Sequence, residues 1–157
     1  MKHIITALVE NQPGVLARIV GLISGRGYNI DSLNVAPTND PSVSRMTITV
    51  PGDDRVLEQV NKQLNKLIDV VKVTDLTKED YLERELALIK VNCPAKSRSG
   101  IIELAELFRA KIINVRPKSL LVQLAGRQET IENFIELVKP FGIIETSRSG
   151  AIAMARE

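Results

Sequence analysis

One alternation constrains this chain more than any other feature. A short apolar run is followed by a helix-period segment, two further apolar runs, a second helix-period segment and a closing apolar run. The same series then begins again. Lys2 to Val9 is apolar and partly β-branched, and reads as a strand. Asn11, Pro13 and Gly14 punctuate a turn. Val15, Ile19, Leu22 and Ile23 then recur at the spacing of one helical face. That helix is expected to end near Gly25-Arg26-Gly27, where glycine favours a C-terminal cap. Tyr28 to Ala36 reads as a second strand, and Pro37 to Pro41 as a loop. In a third strand Met46, Ile48 and Val50 alternate with Arg45, Thr47 and Thr49, which predicts one buried and one wet face. Asp53 and Asp54 suit the start of a helix carrying Leu57, Val60, Leu64 and Leu67. Asp69 to Leu76 closes the series as a fourth strand.

The polar stretch Thr77 to Arg84 reads as a linker, which divides the chain into residues 1–76 and 85–157. Glu85 to Cys93, the helix face Ile101-Leu104-Ala105-Phe108, and the strands Ala110–Val115 and Ser119–Ala125 follow. Ile131, Phe134, Val138 and Phe141 line another helix, and Gly142 to Ser147 is a last strand. A shift of 74 lays Leu57 on Ile131, Val60 on Phe134, Leu64 on Val138 and Gly52 on Gly126. The expected fold class is therefore α+β, with two ferredoxin-like βαββαβ modules, each an antiparallel sheet with both helices on one face.

Composition removes several functions. Lys plus Arg is 21 against 19 Asp plus Glu, which lacks the basic excess of a nucleic-acid binder. Aromatic residues are 3% of the chain, too few to line a βαββαβ sheet with base-stacking rings. One cysteine (Cys93) and one histidine (His3) cannot supply the ligands of a structural zinc site or an intramolecular disulfide, and they point to a cytosolic protein. The N-terminal residues lack a signal-peptide pattern, and no apolar run is long enough to span a membrane. Cys93 has no histidine in its own module to act as a base, so it is expected to be an inert buried thiol. No nucleophile, base and orienting group can be assembled. Gly21, Gly25 and Gly27 fall at a helix end, not in the order or place of a dinucleotide site. A phosphate-loop enzyme of acylphosphatase type is poorly matched by Gly14 to Arg18.

Two segments remain as binding candidates. The turn Asn11-Gln12-Pro13-Gly14-Val15 places backbone N–H groups at a helix start, where a carboxylate is attracted, with Asn11 able both to donate and to accept. The same residues also make an ordinary strand-to-helix turn. Tyr28-Asn29-Ile30-Asp31 offers an amide and an apolar side chain, and reads equally as a plain turn exit. The repeated tetrapeptides Ser97-Arg98-Ser99-Gly100 and Ser147-Arg148-Ser149-Gly150 are expected to serve as caps, with an anion or partner grip by the arginines as the alternative.

Taken in order, Glu10 to Leu16, Arg26 to Ile30, Ser44-Arg45-Met46-Thr47, Glu83-Arg84-Glu85-Leu86, Val122 to Gly126 and Ser147 to Gly150 resemble the acetolactate synthase small-subunit family over essentially the whole chain. The resemblance implies an ACT domain in the first half, paired side by side with a second copy in a homodimer. It implies that valine or another branched-chain amino acid binds at the seam. Asn11, Gly14, Val15 and Leu16 would come from one subunit, and Asn29 and Ile30 from the other. It further implies a non-catalytic chain without a cofactor of its own, which activates a separate large catalytic subunit and makes it feedback-sensitive. That partner would hold thiamine diphosphate, Mg²⁺ and FAD. A free-standing amino-acid sensor with the same fold is the competing reading.

Overall fold

The computed structural model describes residues Lys2–Glu157. They form two compact units, Met1–Leu82 with Ala151–Glu157, and Glu83–Gly150. The first unit contains β1 (Lys2–Glu10), α1 (Val15–Gly25), β2 (Ser32–Pro37), β3 (Val43–Pro51), α2 (Asp54–Asn65) and β4 (Val70–Asp75). Its antiparallel sheet runs β2-β3-β1-β4. The second unit takes up most of β5 (Tyr81–Asn92), then α3 (Arg98–Leu107), β6 (Lys111–Val115), β7 (Ser119–Gly126), α4 (Gln128–Val138) and β8 (Ile143–Arg148). Its strand path, β6-β7-β5-β8, is the same topology element for element. The α+β reading with two ferredoxin-like sheets holds.

The helices cover one face of each sheet because their apolar residues recur every three to four positions. In the first unit Val15, Ile19 and Ile23 of α1 and Leu57, Val60 and Leu64 of α2 meet Ile5, Ala7, Val9, Met46, Ile48 and Val50. In the second, Ile101 of α3 and Ile131, Phe134 and Val138 of α4 meet the alternate residues of β5 and β7. Phe134 also meets Phe108 edge to face, with ring centroids 5.2 Å apart. Cys93 is buried in this core and free. At the start of α2 the Asp53 side chain accepts from the Val56 N–H at 3.1 Å, the cap its position predicts. The two modules share an irregularity as well. The register shifts between Leu8 and Val9 against β4, and between Lys90 and Val91 against β8. Each shift leaves an extra residue on the outer strand, Val71 and Ile144, and both are exposed.

Several expectations need correction. Residues 77–84, though mostly exposed, do not run as a structureless linker. Leu76–Lys78 is a 3₁₀ turn and β5 already begins at Tyr81. The polar residues there serve the backbone: Asp75 accepts from the Thr77 N–H at 3.0 Å, and the Thr77 hydroxyl accepts from the Ile4 N–H at 3.0 Å. Secondly, Ala151–Glu157 rejoins the first unit through β9 (Ile152–Ala155). There Ala153 packs on Ile4 and Leu76, and the Arg156 N–H donates to the Asp80 carbonyl at 2.9 Å. Thirdly, β2 starts at Ser32, leaving Tyr28–Asp31 as irregular backbone. Lastly, the second face of β3 is not wet, since Thr47 and Thr49 are buried as thoroughly as Met46 and Ile48. Part of that face is covered by the returning β9, because Ile4, the cross-strand partner of Thr49, lies beneath Ala153.

The repeated tetrapeptides are not primarily caps either. Ser97 precedes α3 without a side-chain cap bond, while Arg98 reaches the carbonyls of Arg116 and Pro117 at 3.0 and 3.2 Å and ties down the β6–β7 turn. Arg148 forks onto Glu85, with Nε to Oε1 at 2.8 Å and Nη2 to Oε2 at 3.1 Å. The Ser149 hydroxyl accepts from the Leu86 N–H at 3.0 Å. Glu85-Leu86 and Arg148-Ser149, 63 residues apart, are therefore one structural joint.

Candidate functional site

β1 hands over to α1 through a turn held by two other segments. The Glu10 N–H donates to the Asp69 carbonyl, and the Asn11 N–H to the Ser42 carbonyl, both at 2.8 Å. Gly14 takes φ +83°, a left-handed conformation that favours glycine, directly before the helix. No side chain caps α1 and no acidic residue lies in its first turn. The Val15 N–H donates to the Gln12 carbonyl at 3.3 Å, and the next first-turn N–H groups, which cannot bond within a helix, face an exposed turn with the helix dipole behind them. A helix start of this kind attracts a carboxylate.

Two side chains border it. Asn11 donates Nδ2 to the Pro41 carbonyl at 2.9 Å, so its amide is already aimed. The loop supplying that carbonyl is itself fixed. The Thr38 hydroxyl donates to the Asp40 carbonyl, and the Asp40 carboxylate accepts from the Ser42 N–H at 3.0 Å and the Ser42 hydroxyl at 2.7 Å. Those bonds from Ser42 hold the Asp40 carboxyl below its usual range. Because the pKa is lowered, the ordering it gives the loop is fully present above the ordinary carboxylate range and is lost only as the pH falls below that range, through the lowered pKa. On the helix, Arg18 turns back toward the turn. It grips Asp69 through Nε and Nη2, both 2.8 Å from Oδ2, and its Nη1 lies 3.4 Å from where a Cβ on Gly14 would stand. Residue spacing alone did not single out Arg18, whose signal is its place one turn after the glycine.

The six expected residues divide into two groups. Asn11, Gly14, Val15 and Leu16 lie at the N-terminal end of α1. Val15 is 2% exposed, and its side chain belongs to the core, leaving only its backbone for a ligand. Leu16 points outward at 40% exposure. Asn29 and Ile30 lie past the other end of the helix, with Asn29 exposed and Ile30 half-buried against the core. An 11-residue helix is about 16 Å long, so one chain does not bring the two groups together. Their relation to β2 is informative. The Asn11 turn is bonded to the loop that follows β2, whereas Asn29 and Ile30 sit just before β2 begins. β2 is also an outer strand of its sheet, with one edge open.

Among the described residues no group of three or more His, Cys, Asp or Glu side chains converges as a metal site. No helix there is long and apolar enough to cross a membrane.

Comparison with known proteins gives a consistent result. Residues 5–72 match the model of the AHAS small subunit-like ACT domain, and residues 84–157 match that of the small subunit of acetolactate synthase. The chain is 52% identical to the acetolactate synthase small subunit of Aquifex aeolicus, over 99% of its own length and 82% of the relative's. It is 50% identical to the probable acetolactate synthase small subunit of Archaeoglobus fulgidus, over 99% and 98% of the two lengths. The crystal structure of the acetolactate synthase small subunit from Thermotoga maritima superposes with a TM-score of 0.89 at 39% identity, covering 100% of this chain and 98% of that one.

Proposed function

This chain belongs to the acetolactate synthase small-subunit family, a family of non-catalytic regulatory subunits, and from that premise we propose that its first unit is a feedback sensor completed by a second copy of itself. Membership implies a separate catalytic subunit as partner. In this reading two first units pair antiparallel along β2, forming the homodimer. The start of one β2 then lies beside the end of the other, and Asn29 and Ile30 of one copy come to face Asn11, Gly14, Val15 and Leu16 of the next.

The observation that carries the proposal is the division of the candidate residues between the two ends of α1, on either side of an open strand edge. The ligand it fits is a branched-chain amino acid, with valine the first candidate. Its carboxylate takes the N–H groups at Gly14–Leu16, sharing that of Val15 with the Gln12 carbonyl, its ammonium is met by the side-chain oxygens of Asn11 and Asn29, and its side chain rests on Leu16 and Ile30. Binding at the seam changes its geometry, and with it the way the subunit engages and activates the catalytic chain. Regulation follows if the ligand binds the two seam geometries unequally. The second unit supports subunit pairing or the partner contact. Thiamine diphosphate, Mg²⁺ and FAD belong to the catalytic partner in this scheme.

Isothermal titration of the full chain with valine, with isoleucine, leucine and alanine as comparators, tests the proposal. Saturable binding of a branched-chain amino acid at two symmetry-related sites per seam, one per chain, is the expected result. No binding to the chain, alone or with its catalytic partner, would overturn it. Asn29→Ala is expected to weaken valine by about 1–3 kcal/mol, the cost of a lost hydrogen bond to a desolvated charged group. The same variant should keep its far-ultraviolet circular dichroism unchanged, and loss of that signal would make Asn29 a structural residue instead.

A further inference from the structure

The face of the first sheet turned away from α1 and α2 carries a second feature, independent of the seam. It holds a cavity of about 760 Å³, and every residue lining it belongs to the first unit. Its floor is set by register. Thr47, Thr6 and Thr74 are direct cross-strand partners on β3, β1 and β4, and Arg45, Leu8 and Lys72 form the next row. Arg45 and Lys72 therefore flank Leu8 on one face, two strand spacings or roughly 10 Å apart at the backbone. The Thr6 side chain, 3% exposed, lies between them one row along. Lys78, just after β4, adds a third cation, and Met154 of β9 supplies an apolar wall.

Among the described residues no ion pair or side-chain hydrogen bond engages Arg45, Lys72 or Lys78. Three acids also line the cavity. Asp75 is committed to the Thr77 N–H, while Glu79 and Glu157 are exposed and paired with none of the three cations. A half-buried arginine on a sheet face, with its planar fork unused beside a lysine and threonine hydroxyls, is a donor set without an acceptor. The Ser44-Arg45-Met46-Thr47 segment, prominent in the sequence, has no part in the seam, and this arrangement gives its arginine a use.

We propose that this cavity binds a small, multiply charged oxyanion, a phosphate ester or a dicarboxylate. Arg45 and Lys72 clamp the anionic group, the hydroxyls of Thr6 and Thr74 donate to it, and Met154 covers its carbon portion. The site lies on the opposite side of the sheet from the helices, so it is a second ligand position on the same regulatory unit.

The test is calorimetric titration of the full chain at low salt, with inorganic phosphate and, separately, with succinate. One saturable site per chain is expected for at least one of them. Phosphate alone would assign phosphorylated ligands, and succinate alone dicarboxylates. Arg45→Met, which keeps the buried stem but removes the fork, should weaken binding at least tenfold, as should Lys72→Met at an exposed position. Arg55→Met, on the exposed face of α2, should leave it unchanged. Gly14→Asp should also leave it unchanged, separating this site from the seam. Absence of saturable binding by either anion would overturn the proposal. Equal loss in Arg55→Met would overturn it too, by reducing the effect to net charge. So would retained anion binding in Arg45→Met and Lys72→Met coupled to lost affinity for the catalytic subunit, which would make the face a protein contact.

Discussion

Gly14→Asp is expected to weaken branched-chain amino-acid binding at least 100-fold, about 2.7 kcal/mol, while the chain stays folded. Three effects act together. A side chain at φ +83° costs on the order of 1–2 kcal/mol in general, less for aspartate, whose short polar side chain tolerates that conformation. Space permits it, because the nearest atom to a Cβ there is the Arg18 Nη1 at 3.4 Å, at the tip of a flexible side chain. Aspartate is also a favoured residue directly before a helix, so the fold loses little. The ligand loses far more. The introduced carboxylate can take the same first-turn N–H groups and the unused arm of Arg18, and it repels an incoming carboxylate through the same dipole that attracted it. Titration with valine, beside circular dichroism to confirm folding, measures both halves of the expectation. Unchanged valine affinity would remove Gly14 from the site.

The second large effect lies in the other unit. Arg148→Met should destabilise it by about 3–5 kcal/mol, because it strands a buried carboxylate. The Glu85 side chain is 1% exposed, and Arg148, itself about one-third exposed, is its bidentate partner. Glu132 stands 3.8 Å away as a secondary partner. Hydrogen bonding to Glu85 raises the Arg148 pKa above its ordinary value, so the arginine stays charged throughout the working pH range. Adding Glu85→Leu to that variant should restore much of the loss, since two apolar side chains need no compensation. With two compact units a single unfolding transition is not assured. Amide exchange in β5 and β8 is therefore the better readout than one melting curve. A double variant as unstable as Arg148→Met alone would show that the joint works through shape and not charge.

Much of this architecture could be read before any coordinates. Leu57, Val60 and Leu64, with their counterparts Ile131, Phe134 and Val138, announced both a helical face and a repeat, and all six are buried. Such patterns are local, and burial enforces them one residue at a time. The features that were missed depend on contacts between distant segments. Thr47 and Thr49 alternate like wet residues, and only the cover over their face makes them interior. The stretch 77–84 has a linker's composition, yet its Thr77, together with Asp75 at the end of β4, closes hydrogen bonds on the backbone. Arg148 looked like part of a capping tetrapeptide because its partner, Glu85, is 63 positions earlier. The site was half legible. Glycine at a strand-to-helix turn marks a candidate carboxylate seat in the sequence and equally an ordinary turn, but the restraint of Asn11 by Pro41 and the position of Arg18 Nη1 beside Gly14 are tertiary.

The return of residues 151–157 to the first unit has a consequence for how the protein is made. A ribosome finishes β1 to β4 early, yet the segment that covers Ile4 and Leu76 is synthesised only after the whole of the second unit. The nascent first unit must therefore wait with that patch bare, while some 70 residues emerge and fold as an insertion within it. The cost of closing so long a loop is small, since each doubling of loop length adds only about 0.6 kcal/mol. The delay is a different matter: during it, a newly made chain presents an uncovered apolar patch to its neighbours on the same polysome.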